Sequence, residues 1–226
     1  MFVHVNAAVS ADGKLSTRRR EQVRISGPDD RERVDRVRAE ADAVLVGVGT
    51  VLADNPSLTV GEDARADRAA VGRDPNPTRV VVDSRARTPP GAAVVDDTAP
   101  TVVLTTDAAP EGCATELAGA GATVLRVADD DAGQVDLAAS LDALADRGID
   151  RVLVEGGGEI VASLFVADLV DRLTLFVGPF VIGGRDAPTL VDGEGFVDGF
   201  PELRLDDIER IDDGFLVTWL PGDESE

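Results

Sequence analysis

The chain has 226 residues, 43% hydrophobic and 29% charged, enough for one sizeable core and incompatible with wholesale disorder. Asp and Glu number 43 against 22 Lys and Arg, a formal net charge of -21 that argues against free nucleic acid as a partner. A single cysteine, Cys113, excludes an internal disulfide, and with His4 as the lone histidine there is no Cys/His cluster for a metal.

The acids are scattered through every segment, and Lys14 is the one lysine, a pattern expected of a halophile-like surface that relies on screening by molar salt. An acidic face for a basic partner is the alternative, but no block concentrates the charge. The N-terminus has no basic-then-apolar leader and no run approaches membrane-span length, so a cytoplasmic protein with no membrane partner is expected.

Phe2 to Val9 reads as a first strand in which His4 is structural. The polar turn Ser10-Ala11-Asp12-Gly13-Lys14-Leu15 follows. Lys14 with Arg18, Arg19 and Arg20 forms a cationic patch, either a receiver for a substrate phosphate or a solvated loop. Ser26-Gly27-Pro28-Asp29-Asp30 predicts a helix start with Ser26 as cap, running to about Ala41 with Val34 and Val37 inward and Arg38 near its end.

Asp42 to Val48 is the second strand, and Gly47-Val48-Gly49-Thr50 after it is an anion-friendly turn. As a dinucleotide fingerprint it is incomplete, since its last small residue, Ala53, comes one place late. Asp54-Asn55-Pro56 breaks the short helix, Leu58-Thr59-Val60 resumes an extended run, and Gly61 to Thr78 reads as a surface loop. Arg79 to Asp83 is the third strand. Ser84 with the arginines beyond it suits a 2′-phosphate or is a polar edge. Strands Thr101–Thr106 and Ala122–Val127 flank a small-residue helix around Ala114 to Ala118, and Val135 to Arg147 is an amphipathic helix ended by Gly148.

Next comes the stretch most suggestive of a ligand. Val152 to Val154 is a strand, Glu155 stands at its carboxyl end, and Gly156, Gly157 and Gly158 precede apolar residues at helical spacing, from Ile160 and Val161 to Leu169. Glycines admit close backbone approach and the first helical N–H groups point at an anion. A tight turn without ligand is the alternative. Arg172 to Val177 is a further strand, and Leu203 to Ile211 with Phe215 to Leu220 forms a hairpin. This order predicts an α/β fold in one domain over 1–226, with a mostly parallel central sheet, helices on both faces and an antiparallel C-terminal hairpin.

Ser-x-Asp-Gly-Lys, Val-Gly-x-Gly-Thr-Val-Leu-x-Asp-Asn-Pro-x-Leu-Thr-Val, Val-Val-Asp-Ser and Val-Glu-Gly-Gly-Gly, in that order, resemble one family. It is the archaeal 2,5-diamino-6-ribosylamino-4(3H)-pyrimidinone 5′-phosphate reductases, similar to the reductase half of the bacterial bifunctional deaminase-reductase of riboflavin biosynthesis. The resemblance covers nearly the whole chain, including Gly-Pro-Phe-Val-Ile-Gly-Gly near residue 178. It implies a dihydrofolate-reductase-like three-layer fold, a homodimer, a phosphorylated pyrimidine substrate and NADPH as cofactor, with NADH the other candidate. By position it assigns Thr50, Asp54, Ser84, Gly156, Gly157, Gly158 and Glu159 to the cofactor, with Ala8 lining the nicotinamide. Arg38, Glu155 and Leu58 fall at substrate positions, Glu155 being the candidate catalytic carboxylate with Asp54 and Asp12 as competitors. The bacterial enzymes carry an arginine at the position of Gly61, which draws attention to Lys14 and the Arg18–Arg20 run as phosphate ligands. The deaminase half is missing, so reduction alone is expected. The rival expectations are a dihydrofolate or other pterin reductase, and a nucleotide-binding module without catalysis.

Overall fold

A computed structural model describes residues 1–21 and 23–222. In chain order its elements are β1 (Phe2–Ser10), α1 (Pro28–Glu40), β2 (Ala43–Gly47), α2 (Val48–Asp54), α3 (Glu62–Ala70), β3 (Thr78–Val82), β4 (Thr101–Thr105), α4 (Glu111–Gly119), β5 (Thr123–Arg126), α5 (Leu137–Ala145), β6 (Arg151–Gly156), α6 (Gly158–Val166), β7 (Arg172–Gly178), β8 (Leu203–Ile211) and β9 (Gly214–Pro221). The strands form a nine-stranded sheet in the order β5-β4-β3-β2-β6-β1-β7-β9-β8. The β1–β7, β2–β3, β3–β4 and β4–β5 pairs are parallel, and β7–β9 and β8–β9 antiparallel. The expected parallel sheet with an antiparallel C-terminal hairpin is present.

The chain divides into two compact units, one holding Asp35–Leu153, the other Phe2–Val34 with Val154 onward. In the first, β2 and β4 are buried at every position, which is why they read as unbroken apolar runs rather than alternating ones. Val44, Val46, Val81, Val103, Leu117 and Leu153 build the core there. Arg79 of β3 is fully buried beside it, donating to Thr101 Oγ1 (2.9 Å), Ala93 O (3.1 Å), Asp96 Oδ1 (2.7 Å) and the carbonyls of Asp96 and Ala99. A guanidinium so saturated by acceptors is a structural pin, and its hydrogen bond holds the Asp96 carboxyl below the usual carboxylate range.

Two segments of this unit differ from the expectation. Residues 61–78 are not all loop, because α3 forms within them and buries Arg68. Arg68 Nη1 donates to the carbonyls of Ala39 and Ala41, both at 2.7 Å, and its Nε to Asp74 O at 2.8 Å. Three accepted hydrogen bonds make burying this charge tolerable, so a polar composition conceals an anchored helix. Residues 58–60 form no strand, and the first of them departs from an extended run. Leu58 has φ 53 and is 2% exposed, a left-handed bend that a large side chain adopts only when packing demands it.

In the second unit Ile25, Phe176 and Leu216 form the core, joined by Ala8 and Ile211. The predicted cap of α1, Ser26, is displaced by Asp212 of the β8–β9 turn, which accepts from the N–H groups of Asp29 (3.2 Å) and Asp30 (3.0 Å). The reason is Gly27, where a Cβ would lie 2.3 Å from the Asp212 carboxylate, so its hydrogen leaves room for a carboxylate from far along the chain. His4 is structural as expected, its Nε2 2.6 Å from Thr174 Oγ1.

Candidate active site

Within the first unit the parallel strand β2 runs directly into α2. Gly47 has φ −75 and ψ 152 and makes no side-chain cap hydrogen bond to the first turn, which contains Thr50. The helix ends at Asp54 because Asn55 turns left-handed at φ 42 and its side-chain Oδ1 accepts from Ala93 N–H at 2.8 Å. Partial desolvation raises the Asp54 carboxyl above its ordinary pKa even though the residue is largely exposed.

Arg38 and Leu58 are brought together. Arg38 Nη1 donates to Thr59 O at 2.9 Å, holding the bend in which Leu58 is buried. One turn earlier on α1, Asp35 Oδ2 accepts from Gly61 N–H at 3.0 Å, and a Cβ on Gly61 would lie 2.6 Å from that same oxygen. An arginine at position 61 therefore requires Asp35 to move.

Ser84 is 5% exposed, and its hydroxyl is committed within the protein, donating to Gln134 Oε1 and accepting from Val135 N–H, each at 3.1 Å. Its carbonyl accepts from Thr106 Oγ1 at 3.0 Å. Asp83 shapes the same turn by taking Thr88 N–H (2.6 Å) and Thr88 Oγ1 (2.8 Å). The exposed polar groups there are Arg85 and Arg87. Ser84 thus clamps three segments, and Gln134 and Thr106 are partners that spacing gave no means of finding.

Within the second unit, Ala8 lies in β1 opposite Phe176 of β7. The turn after β1 is closed by Ser10, whose Oγ donates to Asp12 Oδ1 at 2.6 Å while accepting from Lys14 N–H at 3.0 Å. Asp12 also accepts from the N–H groups of Ile182 (3.0 Å) and Gly183 (2.8 Å). The Ser10 hydroxyl first, and then these amides, lower its carboxyl pKa to about 2. Lys14 Nζ donates to Ala187 O at 3.2 Å, and the Lys14 backbone bridges Thr189. Arg18, Arg19 and Arg20 are exposed.

Glu155 is the last residue but one of β6 and is half-buried. After it Gly157 adopts φ 93 and ψ 98, a conformation that glycine alone takes without strain, and its carbonyl accepts the first α6 bond from Val161 N–H at 3.0 Å. A Cβ on Gly158 would stand 2.5 Å from Asp192 Oδ2 and 2.9 Å from Thr189 O. Thr189 in turn holds Asp192 by donating to its Oδ1 from both N–H (3.1 Å) and Oγ1 (2.7 Å). Gly193 lies against Glu159, in the first turn of α6. Lys14 and the glycine loop therefore share one neighbour, the segment 187–193, whose last residues, Asp192 and Gly193, open the Asp-Gly-Glu-Gly-Phe run that belongs to the family resemblance. The Asp192 carboxylate thus stands against Gly158 at the start of α6, where any side chain would collide with it.

Among the described residues no group of three His, Cys, Asp or Glu is placed to hold a metal ion, and no helix is long and apolar enough to cross a membrane.

Known proteins resemble this chain along nearly its whole length. The 2,5-diamino-6-ribosylamino-4(3H)-pyrimidinone 5′-phosphate reductase of Archaeoglobus fulgidus is 46% identical over 218 residues, 96% of each chain. In fold, a pyrimidine reductase-like protein from Corynebacterium diphtheriae matches with a TM-score of 0.85 at 18% identity, covering 99% of this chain and 92% of that one. Dihydrofolate reductase from Enterococcus faecalis matches more distantly, with a TM-score of 0.50 at 12% identity over 98% and 97% of the two chains, so the fold is dihydrofolate-reductase-like. The model of the RibD C-terminal domain matches residues 1–217, and the chain belongs to that family.

Proposed function

We propose that this chain is an NADPH-dependent reductase that converts 2,5-diamino-6-ribosylamino-4(3H)-pyrimidinone 5′-phosphate into its ribitylamino counterpart, a step of riboflavin biosynthesis. The observation that carries the reading is the 46% identity, along 96% of both lengths, to the Archaeoglobus fulgidus enzyme of that name. The glycine-lined turn from β6 into α6, which leaves room for close backbone approach, supports it.

NADPH, when bound, supplies the hydride. The chain's own residues bind, orient and stabilise charge. Gly156, Gly157, Gly158 and Glu159 hold the dinucleotide through backbone N–H groups, Thr50 and Asp54 contact it from α2, and Ala8 lines the nicotinamide. The turn at Ser84 presents Arg85 and Arg87 for the 2′-phosphate. Arg38, Leu58 and Lys14 hold the substrate, with Lys14 directed at its phosphate.

In the substrate the glycosylamine nitrogen expels the ring oxygen, which takes a proton, and C1′ becomes a cationic C=N carbon. Hydride addition there and retention of the nitrogen proton give the ribitylamino product, consuming one hydride and one proton. The Glu155 carboxylate, at the end of β6, stabilises that positive charge as it develops. The protein works as one reductase domain and a homodimer in the cytoplasm, with a surface suited to molar salt.

The test is to mix the purified chain with NADPH and the pyrimidinone ribosyl phosphate and follow absorbance at the nicotinamide band. The expected result is oxidation that requires the substrate phosphate and is slower with NADH. Oxidation driven by dihydrofolate instead, or NADPH binding with no turnover, would overturn the assignment.

A further inference from the structure

In the first unit the turn that leaves β3 is fastened at every second residue. Ser84, Ala86 and Thr88 are buried, while Arg85 and Arg87 between them are exposed. Ser84 is tied by its hydroxyl to Gln134 and Val135, and Ala86 N–H donates to Asp83 O at 3.0 Å. Ala86 takes φ 51, a left-handed bend that its packing in the core holds in place. Thr88 donates from both N–H and Oγ1 to one oxygen of the Asp83 carboxylate, Oδ2. The turn is therefore braced from within, and its two arginines stand on the outside.

Asp83 itself is fully buried, yet its other oxygen, Oδ1, has no hydrogen-bond partner among the described residues. Such an oxygen is costly to bury, because a carboxylate has no hydrogen of its own to turn toward a neighbour. What stands against it is a cation. Arg87 Nε lies 3.5 Å from Oδ1, an ion pair without hydrogen-bond geometry, in which the Arg87 side chain is 57% exposed and that of Asp83 0%. The pair is made through Nε, so the Nη1–Nη2 end of the guanidinium stays available to an anion from outside. A free surface arginine gives up rotamer freedom when it binds, and one already held from below gives up less. With its carboxylate buried, the pair is also screened less by salt than a pair in open solvent. The geometry points to Asp83 as a positioning residue that sets a preference for NADPH over NADH, its Oδ1 holding Arg87 by Nε so that the outer end of the guanidinium takes the 2′-phosphate. This rests on the proposed reading, which puts that phosphate at this turn, and adds the residue that makes the turn selective. If the carboxylate merely cancelled part of the Arg87 charge, its removal would have the opposite sign and tighten NADPH.

Calorimetric titration of the full chain with NADP⁺ and with NAD⁺, alongside KM for NADPH and NADH, tests this. Asp83→Asn keeps the shape of the side chain and one oxygen for Thr88 but loses the charge. It should weaken NADP⁺ about tenfold and NAD⁺ by less than about twofold, with KM rising for NADPH and not for NADH. Arg87→Ala should do the same, and Asp83→Asn added to it should cost no further selectivity, since both act through one contact. Should Asp83→Asn fail to fold, Arg87→Lys decides, because it leaves Asp83 in place and keeps the charge while lacking the forked guanidinium. Selectivity should again fall about tenfold. Equal weakening of both coenzymes, tighter NADP⁺ binding in Asp83→Asn, or full selectivity in Arg87→Lys would overturn the inference. A loss in Arg87→Ala with none in Asp83→Asn strikes the role of Asp83 alone. Selectivity untouched in Arg87→Ala removes the 2′-phosphate from this turn, and the placement in the proposed reading falls with it.

Discussion

The two glycine-bearing strand-to-helix turns, Gly47 to Thr50 and Glu155 to Glu159, read alike as sequence and differ in physical demand. A Cβ on Gly49 would meet nothing within 4 Å, and its backbone is ordinary helix. Gly157 sits at φ 93, and Gly158 has the carboxylate of Asp192 where its Cβ would be. The second turn is shaped by what lies against it, the first only by the helix it starts. Glycine therefore marks close approach in one case and mere permissiveness in the other, a distinction that spacing does not carry.

The sharpest way to probe the contrast is to remove the reacting charge from one turn and a binding charge from the other. Glu155→Gln should lower kcat by about 10²-fold or more while melting is unchanged, since a charge realised only in the transition state is lost. Asp54→Asn should instead raise KM for NADPH by less than about tenfold with kcat retained. Steady-state kinetics on both variants decide it, and equal effects would erase the contrast.

Gly158→Ala comes next. Crowding Asp192 and Thr189 should cost about 1–3 kcal/mol in denaturant unfolding. Gly49→Ala should do the opposite, stabilising by about 0.5–1 kcal/mol because alanine suits a helix better than glycine. A Gly158→Ala protein as stable as wild type would mean that Asp192 is not where the turn needs it.

The smallest effect concerns the 187–193 segment's neighbour, the Asp12 turn. Its carboxyl titrates at about 2 against 3.8 in an unfolded chain, so its contribution is present above pH 4 and is lost as pH falls toward 2. Acid unfolding of wild type and Asp12→Asn should therefore converge across that window. Curves that keep a constant separation would contradict the Ser10, Ile182 and Gly183 hydrogen bonds.

Much of the frame was legible from residues alone. Buried parallel strands announce themselves as apolar runs, and the parallel sheet and final hairpin followed from the order and spacing of the strands. What was not legible depends on contacts distant in the chain. The helix over 62–70 is polar in composition and exists around Arg68, whose acceptors lie at positions 39, 41 and 74. The cap of α1 comes from Asp212, more than a hundred and eighty positions from the residue it caps. Residue type left Ser84 as a 2′-phosphate ligand or a polar edge, and the resemblance assigned it to the cofactor. That its hydroxyl is held by Gln134 and Val135 was not legible, because no local pattern links them to it.

The central claim is that the amides opening α6 hold the dinucleotide while Glu155 serves the substrate. A crystal structure with NADPH bound tests it most directly. The account predicts the diphosphate on the N–H groups of residues 156–159, with the Asp192 carboxylate displaced from Gly158. NADPH bound elsewhere at saturation, with Asp192 still seated against Gly158, would contradict it.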